Sequence, residues 1–199
     1  MPDFNPFGLR PSRVQGSGPN STGFSTYRAV NNVPTALFRG DPVALVGGTV
    51  TLAAGSVPIL GVFWGASWWD PVTGQRRDAR YLPAGTSSAA RIDGDTRPLV
   101  QVIDGANKTF TIQCDSTVSV GDIGWNFNTS VSSVAGGGGS TIFGLSRAYL
   151  LKSSRTSAGN SQFRIVDIFK SPDNALDSAA TLVEVIPVAH QATVVSVTP

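Results

Sequence analysis

The 199-residue sequence predicts an all-β fold, one barrel-like or sandwich-like domain led by an extended N-terminal arm. Short apolar runs of strand length alternate with Gly, Pro and Asp turn signals along most of the chain. No segment keeps apolar residues at spacings of three, four and seven over three turns, so no long amphipathic helix is expected. Charged residues make up 14%, well under the ~25% usual in soluble domains, while Gly (22) and Pro (13) are frequent. That balance suits a turn-rich β protein whose surface is largely covered by partners. The expected division is an arm over 1–34, a β-rich body over 35–191 and a C-terminal tail over 192–199.

Residues 1–34 carry Pro or Gly every few positions and no helical or strand period. Isolated large apolar side chains stand at Phe4, Phe7, Leu9, Val14, Phe24 and Tyr27. Disordered tails are rich in charge and poor in aromatics; this stretch is the reverse. It reads as an arm with nothing local to fold against, ordered only when its rings enter pockets on other polypeptides.

In the body, 35–38 precedes the turn Gly40-Asp41-Pro42, and 43–46 and 49–52 flank Gly47-Gly48 as a hairpin with a primed turn. Residues 59–64 form the next run, with Gly61 marking a bulge or a close backbone approach. A long excursion is expected over 64–80, holding Trp64, Trp68, Trp69, the turn at Asp70-Pro71 and Arg76, Arg77 and Arg80 in a solvated or interface loop. Strands over 99–103 and 108–114 flank a turn at 104–107. In the second, Phe110, Ile112 and Cys114 face inward and Thr109, Thr111 and Gln113 face water. A turn or kinked strand covers 118–127, and the glycine run 136–139 is a loop tip. Runs over 141–151, 162–170 and 181–188 complete the strand set. One helical turn is expected over 172–180, capped by Ser171 or Asp173.

Chemistry-bearing constellations are sparse. Cys114 is the sole cysteine, which excludes an intrachain disulfide and a thiolate cluster. His190 is the sole histidine and reads as structural, close to the end of the last strand. Asp93-Gly94-Asp95 lacks the spaced ligands of a calcium loop. Neither a nucleophile elbow nor a phosphate-binding loop is present. An enzyme is therefore not expected, nor a cofactor or metal. A net charge of +2 without clustered cations gives no nucleic-acid footprint, and no signal or membrane-spanning stretch is expected. The contact candidates are Phe4, Phe7, Leu9, Arg10, Arg13, Phe24 and Tyr27 in the arm, with Trp68, Trp69, Arg76 and Arg77 in the excursion. The tryptophans admit three readings: core plugs, interface anchors, or a platform for sugar rings.

Several stretches, in order, carry a likeness: Asn5-Pro6-Phe7-Gly8-Leu9-Arg10-Pro11, ALFRGDPVALVGGTVTLAA (36–54), ILGVFWGASWWDPVTGQ (59–75), YLPAG (81–85), VGDIGWNFN (120–128), FRIVDIFKSPDNA (163–175) and VEVIPVAHQ (183–191). Together they make the chain resemble the head decoration, or cement, proteins of tailed bacteriophages, particularly those of marine phages. The resemblance implies a β-barrel or β-tulip-like body on the outer surface of the capsid, made in the host cytoplasm. The partner would be the phage major capsid protein, clamped by the arm, and self-association, with a trimer favoured, would add multivalency. It brings no catalytic residues. The alternative is a carbohydrate-binding virion module built on the tryptophans of 64–69.

Overall fold

The computed structural model describes residues 4–15, 23–91, 93–130, 139–159, 161–172, 174 and 180–192. The described residues contain no α-helix, and the fold is all-β with several antiparallel sheets. The strands are β1 (Arg10–Val14), β2 (Ser25–Arg28), β3 (Leu37–Phe38), β4 (Pro42–Val46), β5 (Thr49–Leu52), β6 (Gly61–Trp69), β7 (Arg76–Ala79), β8 (Tyr81–Leu82) and β9 (Leu99–Asp104). They continue as β10 (Lys108–Gln113), β11 (Asn126–Phe127), β12 (Thr129–Ser130), β13 (Gly139–Ser140), β14 (Leu145–Ser146), β15 (Tyr149–Leu150), β16 (Phe163–Ile168) and β17 (Leu182–Pro187).

Two sheets carry the architecture. The first runs β1-β10-β17-β16-β11; the second runs β2-β9-β6-β4-β5, with β7 also paired to β6. Between them lies one apolar cluster, in which Phe110, Ile112, Phe163, Ile165, Val183 and Val185 of the first sheet meet Ala44, Val62 and Ile103 of the second. The opposite face of the second sheet is buried as well, where Val43, Val50, Phe63, Val100 and Val102 pack with Ala29, Leu37 and Leu82. That sheet curls until Ala29, just beyond β2, bridges Val50 of β5. No ladder joins these edges, so no closed barrel forms among the described residues.

Local chemistry explains the turns. Gly47 (φ 56°) and Gly48 (φ 76°) supply the two positive φ angles of the primed hairpin between β4 and β5. A Cβ at Gly61 would sit 2.3 Å from the Ile103 carbonyl oxygen, so the backbone approach expected there is real.

The arm expectation is corrected. Residues 10–14 pair with β10 and residues 25–28 pair with β9, each capping one sheet. Leu9 is 1% exposed inside the first cluster, and Ala29 and Val33 enter the second. The physical reason is edge pairing: β10 in the first sheet and β9 in the second each have an outer edge that needs a partner, and this stretch provides both despite its Pro and Gly content. The connecting residues 16–22 lie outside the described set.

Three further expectations change. Thr109, Thr111 and Gln113 are buried, not wet. Their polar groups serve backbone: the Thr109 hydroxyl accepts from Arg13 N–H and donates to the Arg13 carbonyl, and Gln113 accepts from Asn5 N–H. Over 64–80 there is no irregular excursion but a hairpin of β6 and β7, with Trp69 opposite Arg76. The run 141–151 splits, with turn residues at 141–144 and the short strands β14 and β15 after them. The helical turn expected over 172–180 and the tail beyond 192 fall largely outside the described residues, as do Gly136, Gly137 and Gly138 of the glycine run.

Candidate functional site: an arginine–aromatic cleft beside the N-terminal segment

The segment 4–9 lies along β14 and β15. Gly8 N–H donates to the Ala148 carbonyl, and the Phe4 ring meets Tyr149 edge-on at 5.1 Å. On its other side Leu9 N–H donates to the Gly40 carbonyl at 2.9 Å. Both glycines are required. A Cβ at Gly8 (φ 76°) would stand 2.6 Å from Ser146 Cβ, and one at Gly40 (φ 100°) would stand 3.1 Å from Leu9 N. Thus two motifs far apart in sequence, around Gly8 and around Gly40, make one backbone junction.

Asp41 locks the junction from below. It is buried, accepts from Phe38 N–H at 2.8 Å, and accepts from the Ser146 hydroxyl. Burial pushes its carboxyl up to about 7, against the opposing pull of those two hydrogen bonds.

A bulge in β6 aims the third wall. Phe63 faces Val102 and Gly65 faces Gln101, which leaves Trp64 as the extra residue. The bulge also switches parity: Trp64 packs toward the first cluster, while Ala66 and Trp68 join Phe63 on the second. The Arg39 guanidinium lies 4.2 Å from the Trp64 ring centroid, and its Nε donates to the Trp64 carbonyl at 2.8 Å. Across from it Arg10 stacks 3.9 Å from the Phe7 ring centroid. Phe7, Leu9, Arg10, Pro11, Arg39, Trp64 and Leu145 line a cleft of about 340 Å³. Burial and the neighbouring Arg80 charge lower the Arg39 pKa. Among the described residues, no carboxylate forms an ion pair with Arg10, Arg39 or Arg80.

The other contact candidates scatter. Phe4 (49% exposed) and Phe24 (50%) are accessible, while Leu9 belongs to the core and leaves the contact set. Arg13 pairs with Glu184 at 2.7 Å. Tyr27 donates to Asp104 at 2.6 Å, and its hydroxyl is pushed up to about 12 by burial first and then by that carboxylate. Arg77 pairs with Asp70 and Arg76 with Asp78. Trp68 and Trp69 are half-buried and successive on β6, so they leave opposite faces and form no joint platform.

Residues missed from sequence are Arg39, Leu145, Ile142 and Phe143. Ile142 (86% exposed) and Phe143 (64%) sit on the turn before β14. Their apolar character reads as strand when neighbours in space are unknown. Other shifted titratable groups are buried or ion-paired. Cys114 is buried and its thiol is pushed up to about 11, chiefly by burial. Burial lowers the His190 pKa, and its Nδ1 accepts from Ala192 N–H. Asp95 is drawn below the usual carboxylate range, first by the Arg97 side chain, and also pairs with Arg28 and Arg91. Among the described residues, no three His, Cys, Asp or Glu side chains gather as a metal site, and no helix is long and apolar enough to cross a membrane.

Compared with protein-family models, curated proteins and solved structures, the chain finds no match in any of the three.

Proposed function

We propose that the protein is a structural binding module, a decoration or cement protein on the outside of a tailed-phage capsid, where it clamps major capsid subunits. The ordered series of motifs from Asn5 to Gln191 supports this family reading. The observation that carries attachment is the strip formed by residues 4–11 and 142–149. There Phe4 is exposed against Tyr149, and Ile142 and Phe143 are exposed on the turn that leads into Leu145 of the cleft. Exposed apolar surface rimmed by polar groups marks interaction sites. Attachment thus uses a docked, pre-ordered segment in place of a free arm, which lowers the ordering cost of binding.

The test mixes purified protein with undecorated phage heads and measures bound copies per head. Saturable binding at a fixed stoichiometry is expected. An Ile142→Ser, Phe143→Ser double variant should leave the melting temperature within about a degree, since both side chains are solvent-facing, and lower occupancy at least tenfold. No saturable binding by the wild-type protein would defeat the reading.

A further inference from the structure

We infer that the cleft between Phe7 and Trp64 is a receptor for an acidic peptide segment, with one carboxylate gripped by Arg10 and Arg39 and an adjacent apolar side chain against Leu145. Three observations converge on it. Both guanidiniums lie over aromatic rings, 3.9 Å and 4.2 Å from the centroids, so their positions are held before any ligand arrives. Neither has a carboxylate partner among the described residues, whereas Arg13, Arg28, Arg76, Arg77, Arg91, Arg97 and Arg155 each have one; Arg80, Arg147 and Arg164 also lack one but do not line this cleft. In a chain this poor in charge, two cations left open in one concavity are a specific complement to anions.

The position of Arg39 sharpens the point. Its Nε is committed to the Trp64 carbonyl, which fixes the fork and leaves the terminal nitrogens available for the bidentate grip that guanidinium gives carboxylates. The stacked rings exclude water from one side of each cation and strengthen any ion pair formed on the other. Apolar walls from Pro11 and Leu145 favour a peptide over a bare anion. The β6 bulge sets Trp64 apart, because it keeps this ring on the face of Val62 while Ala66 and Trp68 turn to the other core. The inference rests on reading the protein as a binding module, and it holds for any partner surface that offers such a segment.

The probe is an acetylated, amidated tetrapeptide, Leu-Asp-Leu-Gly, titrated into the full-length 15N-labelled protein. Saturable shifts are expected at the Trp64 indole N–H and at the Arg10 and Arg39 Nε–H signals. The Leu-Asn-Leu-Gly analogue should bind at least tenfold more weakly. Arg10→Gln, on an exposed side chain that bonds no other element, should weaken the aspartyl peptide about tenfold with the fold unchanged; Arg39→Lys should do the same while keeping the charge. Equal binding of the two peptides, or shifts confined to other surfaces, would overturn the inference. So would an oligothymidine displacing the peptide with greater affinity, which would make the cleft a phosphate site. Should the peptide fail while heads still bind, only the cleft assignment falls; should heads fail while the peptide binds, only the capsid reading falls.

Discussion

Asp41 shows how much one side chain can decide. It sits at the meeting point of the Gly8 and Gly40 backbones, buried, bonded to Phe38 and Ser146 and, among the described residues, facing no ion-pair partner. A carboxyl held at about 7 in the folded state, against about 3.8 when unfolded, keeps its proton in the native protein between those values. The native state then binds more protons than the unfolded chain, so stability falls as pH rises through that window. The contribution is fully present below about pH 4 and lost above about pH 7, on the order of 4 kcal/mol for a three-unit shift. His190 works the other way: burial lowers its pKa, so the unfolded chain binds more protons and stability rises with pH toward neutrality. Urea unfolding at pH 5 and pH 8 of wild type and Asp41→Asn isolates the carboxyl. The wild-type protein should lose more stability across that range than the variant. Equal losses would mean that Asp41 titrates normally.

At the scale of elements, the N-terminal stretch is the informative case. Its composition suggested dependence on other polypeptides, yet β1 and β2 complete the edges of both sheets and Leu9 fills the core. Leu9→Ala should cost about 3 kcal/mol, as for other fully buried leucines, read from the urea midpoint at unchanged slope. Deleting 1–30 should leave no cooperatively folded body, because it strips β9 and β10 of their outer partners and opens both clusters. A truncated protein with a wild-type melting temperature would contradict the docking. The β6 bulge is the second lesson. It turns three tryptophans that look like one loop into three separate roles: Trp64 in the cleft, Trp68 on the second core, and Trp69 beneath Arg76, 5.7 Å from its ring centroid.

The whole molecule combines a charge-poor surface, two sheets with open ends and a strip of accessible aromatic and aliphatic side chains. A single copy presenting so small a strip would bind weakly; linked copies would gain by effective concentration. We therefore expect sedimentation equilibrium to report a trimer at micromolar concentration, dissociating as concentration falls. A monomer throughout would remove the multivalency. Most of the β content was legible from sequence, since 42–52, 99–113, 163–168 and 182–187 announce themselves by β-branched runs and glycine turns. The cleft was half legible. Phe7, Leu9 and Arg10 stood out as large side chains in a sparse segment, but nothing local says that Arg39 and Trp64 stand beside them.

Sequence by itself settled the all-β class, the primed turn at Gly47-Gly48 and the burial of Cys114, because each depends on short-range steric preference or alternation. Tertiary structure alone decided that residues 4–14 belong to the body, that Gly8 meets Gly40, and that two unpaired guanidiniums share one concavity. Those outcomes arise from backbone edges seeking partners over long sequence separations, and no local pattern of side chains encodes which edge is found.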